Sequence, residues 1–182
     1  AVPFIDRHLS EGRGGKLAIR CSSGDVTYAE LAERVNRAGN ALLGLGLEKG
    51  QRVVMVVKDC PAFFYLFWGA IKAGIVPVPL NTILRAKDYQ GMLEDSACSA
   101  IAWSPEFAAE VEPALSALAA RPAPLLRLPL EGGGPGGAPS LASLLETAYA
   151  AVVDHVAPVN SFGDQDIVIT GHAVLRTTNQ PL

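Results

Sequence analysis

The chain has 182 residues, 49% hydrophobic and 18% charged, which excludes a disordered polypeptide and leaves enough apolar material for a sizeable core. At about 100–200 residues per domain, one domain is the default expectation. The net charge of −3 provides no basic field to hold nucleic acid or an anionic membrane, although residues 1–100 carry +2 and residues 101–182 carry −5.

Cys21, Cys60 and Cys98 are widely spaced and form no C-x-x-C pair. That pattern suits reduced thiols in a cytoplasmic protein better than a disulfide frame or a zinc site. The opening Ala1-Val2-Pro3-Phe4-Ile5-Asp6-Arg7 has neither the basic tip nor the apolar run of a signal peptide, and its lack of an initiator Met is expected of a trimmed chain. The most apolar window, Pro61 to Leu80, is interrupted by Lys72, Gly74, Pro77 and Pro79, so no membrane span is expected.

In chain order, Leu17–Cys21 and Val26–Thr27 flank Ser22-Ser23-Gly24-Asp25 and predict a short hairpin. Thr27 and Glu30 form a capping box that opens a helix. Leu31, Val35, Ala38, Leu42 and Leu45 recur at steps of four and three to make its apolar stripe. Glu30–Arg34 and Glu33–Arg37 are expected ion pairs on its outer face, and Gly44, Gly46 and Gly50 end it. The unbroken run Val53–Val57 predicts a strand buried on both faces, as in a parallel sheet. Asp59 is the expected cap of the next helix, with Pro61 in its first turn. That helix, Pro61–Ala73, is apolar nearly all round, so it belongs inside a larger body. Ile75–Leu80 reads as a strand whose Pro77 and Pro79 place it at a sheet edge. Ala86–Asp95 reads as a helix and Ala100–Trp103 as a strand. Ser104-Pro105 starts a helix running towards Ala120, broken or kinked at Pro113. Leu125–Leu128 is a further strand candidate. From Pro122 to Pro139, ten of eighteen residues are Pro or Gly, the composition of a linker or loop. Leu141–Val153 is expected to be helical and Ile167-Val168-Ile169 a short strand. The alternation makes the class α/β, with a mostly parallel sheet.

Motifs that carry chemistry are scarce. Gly44–Gly50 follows a helix and precedes a strand, the reverse of a dinucleotide loop, and so reads as a helix stop. Gly14-Gly15-Lys16 has Leu17 where a phosphate loop needs Ser or Thr. Ser22-Ser23-Gly24 is followed by Asp25, a carboxylate that would repel phosphate. His8, His155 and His172 lack ligand spacing. Asp164 and Asp166 lack the further oxygen ligands calcium requires. Phe63–Trp68 reads as core rather than as an aryl pocket. The residues therefore nominate no catalytic, cofactor-binding or metal site.

Longer stretches do resemble a known family. They are Thr27-Tyr28-Ala29-Glu30-Leu31, Asn36-Arg37-Ala38-Gly39-Asn40-Ala41-Leu42, Gly50-Gln51-Arg52-Val53, Phe67-Trp68-Gly69-Ala70-Ile71-Lys72-Ala73-Gly74 and Val76-Pro77-Val78-Pro79-Leu80-Asn81-Thr82. Together they resemble the adenylate-forming acyl-CoA synthetases. With Tyr89, Leu93-Glu94-Asp95-Ser96 and Ser104-Pro105-Glu106-Phe107, the wording is most similar to the benzoate-CoA ligase branch. The resemblance covers roughly residues 1–120. It implies the start of that family's large N-terminal domain over residues 1–121; composition, not the resemblance, marks a linker or loop over 122–140 and a tail over 141–182 in which one helix and a short strand are expected, and from about Tyr149 that tail is unlike the family.

For a complete family enzyme the resemblance implies ATP, magnesium and CoA, an aromatic carboxylate as partner, and AMP-forming thioester synthesis. The family's Ser/Thr/Gly-rich phosphate loop ending in Pro-Lys, and the later catalytic motifs, do not occur in these 182 residues. The chain alone is therefore expected to be inactive, as a truncation or a reading-frame change would leave it. The alternative is a non-catalytic interaction module that buries helix 61–73 in a homodimer or a partner.

Overall fold

The computed structural model describes residues 2–118, 124–133, 139–148, 150, 167–169 and 173–175. Helix α1, Val2–Ser10, leads to a small antiparallel pair in which β1, Leu17–Ile19, meets β2, Val26–Thr27. This is the expected hairpin, shorter by two residues in its first strand. Helix α2, Tyr28–Gly44, starts at the expected capping box: the Glu30 amide donates to the Thr27 hydroxyl at 3.3 Å, and the Thr27 amide donates to the Glu30 carboxylate at 2.8 Å. Its stripe is buried at Leu31, Val35, Ala38 and Leu42.

The central sheet is parallel and runs in the order β4-β3-β5-β6, where β3 is Arg52–Val56, β4 Val76–Pro79, β5 Ala100–Trp103 and β6 Leu126–Pro129. Val54 lies beside Val78 on one side and Ile101 on the other, and Ala102 lies beside Leu128. The sheet reaches β6, so Leu126–Pro129 within the Pro/Gly-rich span contributes to the main core. Strand β4 is the expected edge. Its Val76 amide donates to Gln51 and the Leu80 amide to Met55, both towards β3. Pro77 and Pro79 alternate with these residues and have no N–H to offer outward, which blunts the edge against further pairing.

The continuous apolar run at β3 has a direct cause in the layering. Val53 and Met55 pack on one face with Leu42, Leu66 and Leu141, from α2, from α3 (Pro61–Lys72) and from α6 (Leu141–Thr147). Val54 and Val56 pack on the other face with Tyr89, Leu93, Val111 and Leu115, from α4 (Ala86–Asp95) and α5 (Ala108–Ala117). A strand covered by helices on both sides has no wet face, so its sequence does not alternate.

Several local expectations are corrected. The residue capping α3 is Cys60, which makes no side-chain cap bond, rather than Asp59; Pro61 does occupy the first turn. Ser104-Pro105 opens a separate 3₁₀ turn, Pro105–Phe107, before α5 begins at Ala108, and Pro113 lies inside α5 without ending it. Helix α6 ends at Thr147, where Ala148 turns extended; residues 149 and 151–153 of the expected helix lie outside the described residues. Strand β6 starts one residue later than Leu125. Arg37 pairs with Glu33 at 2.9 Å as expected, but Arg34 reaches Glu146 at 2.6 Å rather than Glu30.

Helix α3 is partly covered from within the chain: Leu66, Gly69, Ala70 and Lys72 are buried, Phe63, Phe67 and Trp68 are half-buried, and Phe64 is exposed. Phe4 of α1 stacks on Trp68 with ring centroids 5.1 Å apart. Beyond α6, β7 (Ile167–Ile169) pairs antiparallel with β8 (Ala173–Leu175). His155, His172, Asp164 and Asp166 lie outside the described residues. No described helix is long and apolar enough to cross a membrane.

Candidate functional site

An open parallel sheet takes ligands at the carboxyl ends of its strands, at the point where the strand order reverses. Here that point lies between β3 and β5, because β3 connects outward to β4 on one side and β5 to β6 on the other. Lys58 follows β3, and Ser104 and Glu106 follow β5. The Ser104 amide donates to the Val56 carbonyl at 3.0 Å, and the Lys58 amide donates to the fully buried Ser104 hydroxyl oxygen at 3.1 Å. Above these bonds the Lys58 ammonium pairs with the Glu106 carboxylate. The hydrogen bond from Lys58 holds the Glu106 carboxyl below its ordinary value, and the same bond raises Lys58 above its own. The ends of β3 and β5 are thus joined by the Ser104 bonds, with the Lys58–Glu106 pair exposed at the surface above them.

The turn from β3 into α3 is not built to cradle a phosphate. Lys58-Asp59-Cys60 contains no glycine, Pro61 removes one N–H from the first helical turn, and the Phe63 amide is turned back to the Cys60 carbonyl at 3.0 Å. Anion sites at helix starts depend on those free amides.

Beside these strand ends lies a cleft of about 310 Å³, walled by Arg34 of α2, Ala62 and Tyr65 of α3, Leu130 and Glu131 after β6, and Leu141, Leu145 and Glu146 of α6. Its floor is apolar and its rim charged. Arg34 bonds Glu146, which lowers the Glu146 carboxyl and raises the guanidinium; burial raises the Tyr65 phenol. The volume is near the lower bound for small-molecule sites, about 300 Å³. Nothing in it pairs a nucleophile with a base. Among the described residues no three His, Cys, Asp or Glu side chains converge as a metal site needs.

The residues singled out from sequence go elsewhere. Gly44 and Gly46 close α2, Gly46 in the left-handed region at φ +85°. Ser22–Gly24 is the hairpin turn. His8 stacks on Tyr28 at 3.9 Å and accepts from Arg13, and burial followed by the nearby Arg13 charge lowers its pKa. None of Cys21, Cys60 and Cys98 is in a disulfide. Lys58, Ser104 and Glu106 were not anticipated. Each follows a strand end, which is a legible signal, but their convergence across a parallel pair is not.

The family described as AMP-binding enzyme matches residues 6–147. The chain is 42% identical over 160 residues to a 4-hydroxybenzoate-CoA/benzoate-CoA ligase of Rhodopseudomonas palustris, covering 82% of this chain and 30% of that protein. It is 43% identical over 148 residues to a benzoate-CoA ligase of Thauera aromatica, covering 81% and 27%. Among solved structures, a benzoate CoA ligase from Burkholderia xenovorans superposes with a TM-score of 0.71 at 33% identity, over 82% of this chain and 29% of that one. The N-terminal domain of FACL13 from Mycobacterium tuberculosis does so at 0.71 and 28%, over 91% and 39%. The chain therefore spans less than a third of the curated relatives it matches. With the match running from α1 to the end of α6, through every strand of the parallel sheet, this chain belongs to the AMP-binding enzyme family, and its fold is that of part of the N-terminal domain of acyl-CoA synthetases.

Proposed function

We propose that these residues are the opening scaffold of an aryl-CoA ligase, in which ATP, an aromatic carboxylate and CoA give the aryl thioester, AMP and diphosphate. The observation that carries this reading is the 42% and 43% identity to two benzoate-CoA ligases over 82% and 81% of this chain. A further structural relative, an anthranilate CoA ligase determined in complex with anthranoyl-AMP, superposes with a TM-score of 0.74 at 25% identity, which fits an aromatic acyl group.

Within that reaction the chain supplies shape rather than chemistry. The carboxylate is a poor electrophile, and its activation needs positioned donors, a cation and a metal around the reacting phosphate. At the switch point Lys58, Ser104 and Glu106 bond to one another, and the β3–α3 turn offers no amide nest. The sequence also lacks the Ser/Thr/Gly-rich loop ending in Pro-Lys. We therefore expect benzoate-dependent pyrophosphate–ATP exchange by the 182-residue chain to equal the enzyme-free blank. Exchange above that blank, abolished by omitting benzoate, would place a complete adenylation site in this chain and overturn the scaffold reading.

A further inference from the structure

Lys72, in the last turn of α3, is the only charged side chain among the described residues that is fully buried, at 3% exposure. An ammonium in that position is costly unless its donors are met. Its Nζ lies 3.0 and 2.9 Å from the two carboxylate oxygens of Asp6 on α1, and 2.6 Å from Oδ1 of Asn36 on α2. An ammonium can only donate, so it forces Asn36 to present its oxygen inward and its NH₂ away. That NH₂ donates to the Ala150 carbonyl at 3.2 Å, just past the end of α6. The same stretch is gripped by Arg37, whose Nη1 donates to the carbonyls of Leu145, Glu146 and Ala148 at 3.0–3.3 Å.

We infer that Lys72 is a positioning residue that couples the docking of α1 to the seating of the chain as it leaves α6. One ammonium holds α1 through Asp6 and, by fixing the Asn36 amide, sets the partner of Ala150. Two segments at opposite ends of the family match thus share one buried charge.

The test is amide hydrogen exchange on the full chain, comparing the wild type with Lys72→Met, which keeps the packing volume and removes the charge. Exchange is expected to rise roughly tenfold in both the 2–10 and 145–150 peptides, with the β3 peptide unchanged. A rise in one of the two peptides, or in neither, overturns the coupling. If β3 also loses protection, a double-mutant cycle of Asp6→Asn and Asn36→Ala decides instead, since each touches Lys72 from a different side. Effects on the unfolding constant that multiply to within a factor of about two overturn the inference; a larger departure from that product supports it.

Discussion

Gly69 sets the distance between α2 and α3. A Cβ placed on it would lie 2.8 Å from the Ala38 Cβ, the Gly39 amide nitrogen and the Val35 carbonyl oxygen. Two of these are backbone atoms that cannot turn aside, so Gly69→Ala forces the helices apart. We expect a loss of about 1–3 kcal/mol in urea unfolding, the usual range for overpacking. No change in the urea midpoint would mean the helices are not this close. At the start of α2, Thr27→Ala removes the acceptor of the Glu30 amide and leaves the Glu30 carboxylate one donor fewer. Loss of such a cap costs about 1 kcal/mol, and restoration by Thr27→Ser should recover most of it.

At the scale of elements, α6 is only seven residues long and cannot persist by its own hydrogen bonds. Leu141 and Leu145 anchor it in the core, while Arg37 satisfies carbonyls at its otherwise open C-terminal end. Arg37→Met should therefore cost about 1.5 kcal/mol or more, given that hydrogen bonds from a charged donor are the stronger kind. The loss should appear first as faster amide exchange in 141–148. Equal acceleration throughout the chain would contradict a local role.

Elements of this kind mark where the sequence was legible. Val53–Val57, Ala86–Asp95 and Ala100–Trp103 announce themselves through period and composition, and Thr27-x-x-Glu30 marks a helix start through its own chemistry. The partners of Arg34 and Lys72 do not. Glu146 is 112 residues from Arg34 along the chain, and nothing local distinguishes it from Glu30, which has the favourable i,i+4 spacing. Glu30 is occupied by the cap, which frees Arg34 for the distant carboxylate. The bond between Lys58 and Ser104 was not readable, because it depends on the parallel register of β3 and β5.

For the molecule as a whole, Glu30, Glu106, Glu110 and Glu146 all have lowered pKa values. The causes are the Thr27 amide for Glu30, the Lys58 side chain for Glu106, the Ala86 amide for Glu110 and the Arg34 side chain for Glu146. A carboxyl whose folded value is depressed contributes stability at pH above its unfolded value, and loses it as pH falls through the folded value. His8, also lowered, has the same sign and acts from its ordinary value of 6.5 downward. The urea midpoint should therefore drift down slightly below pH 6.5 and fall more steeply below the ordinary glutamate value of 4.5. A midpoint that rises on acidification would contradict these assignments.

The central claim is that residues 6–147 are a working counterpart of the same stretch in an aryl-CoA ligase. It is tested most directly by replacing that stretch in the Rhodopseudomonas palustris ligase with residues 6–147 of this chain and measuring benzoyl-CoA formation. The account predicts a folded chimera that forms benzoyl-CoA within about two orders of magnitude of the parent, a loss of less than about 3 kcal/mol in transition-state stabilisation. A chimera that folds with the parent's melting temperature but forms no thioester would contradict it.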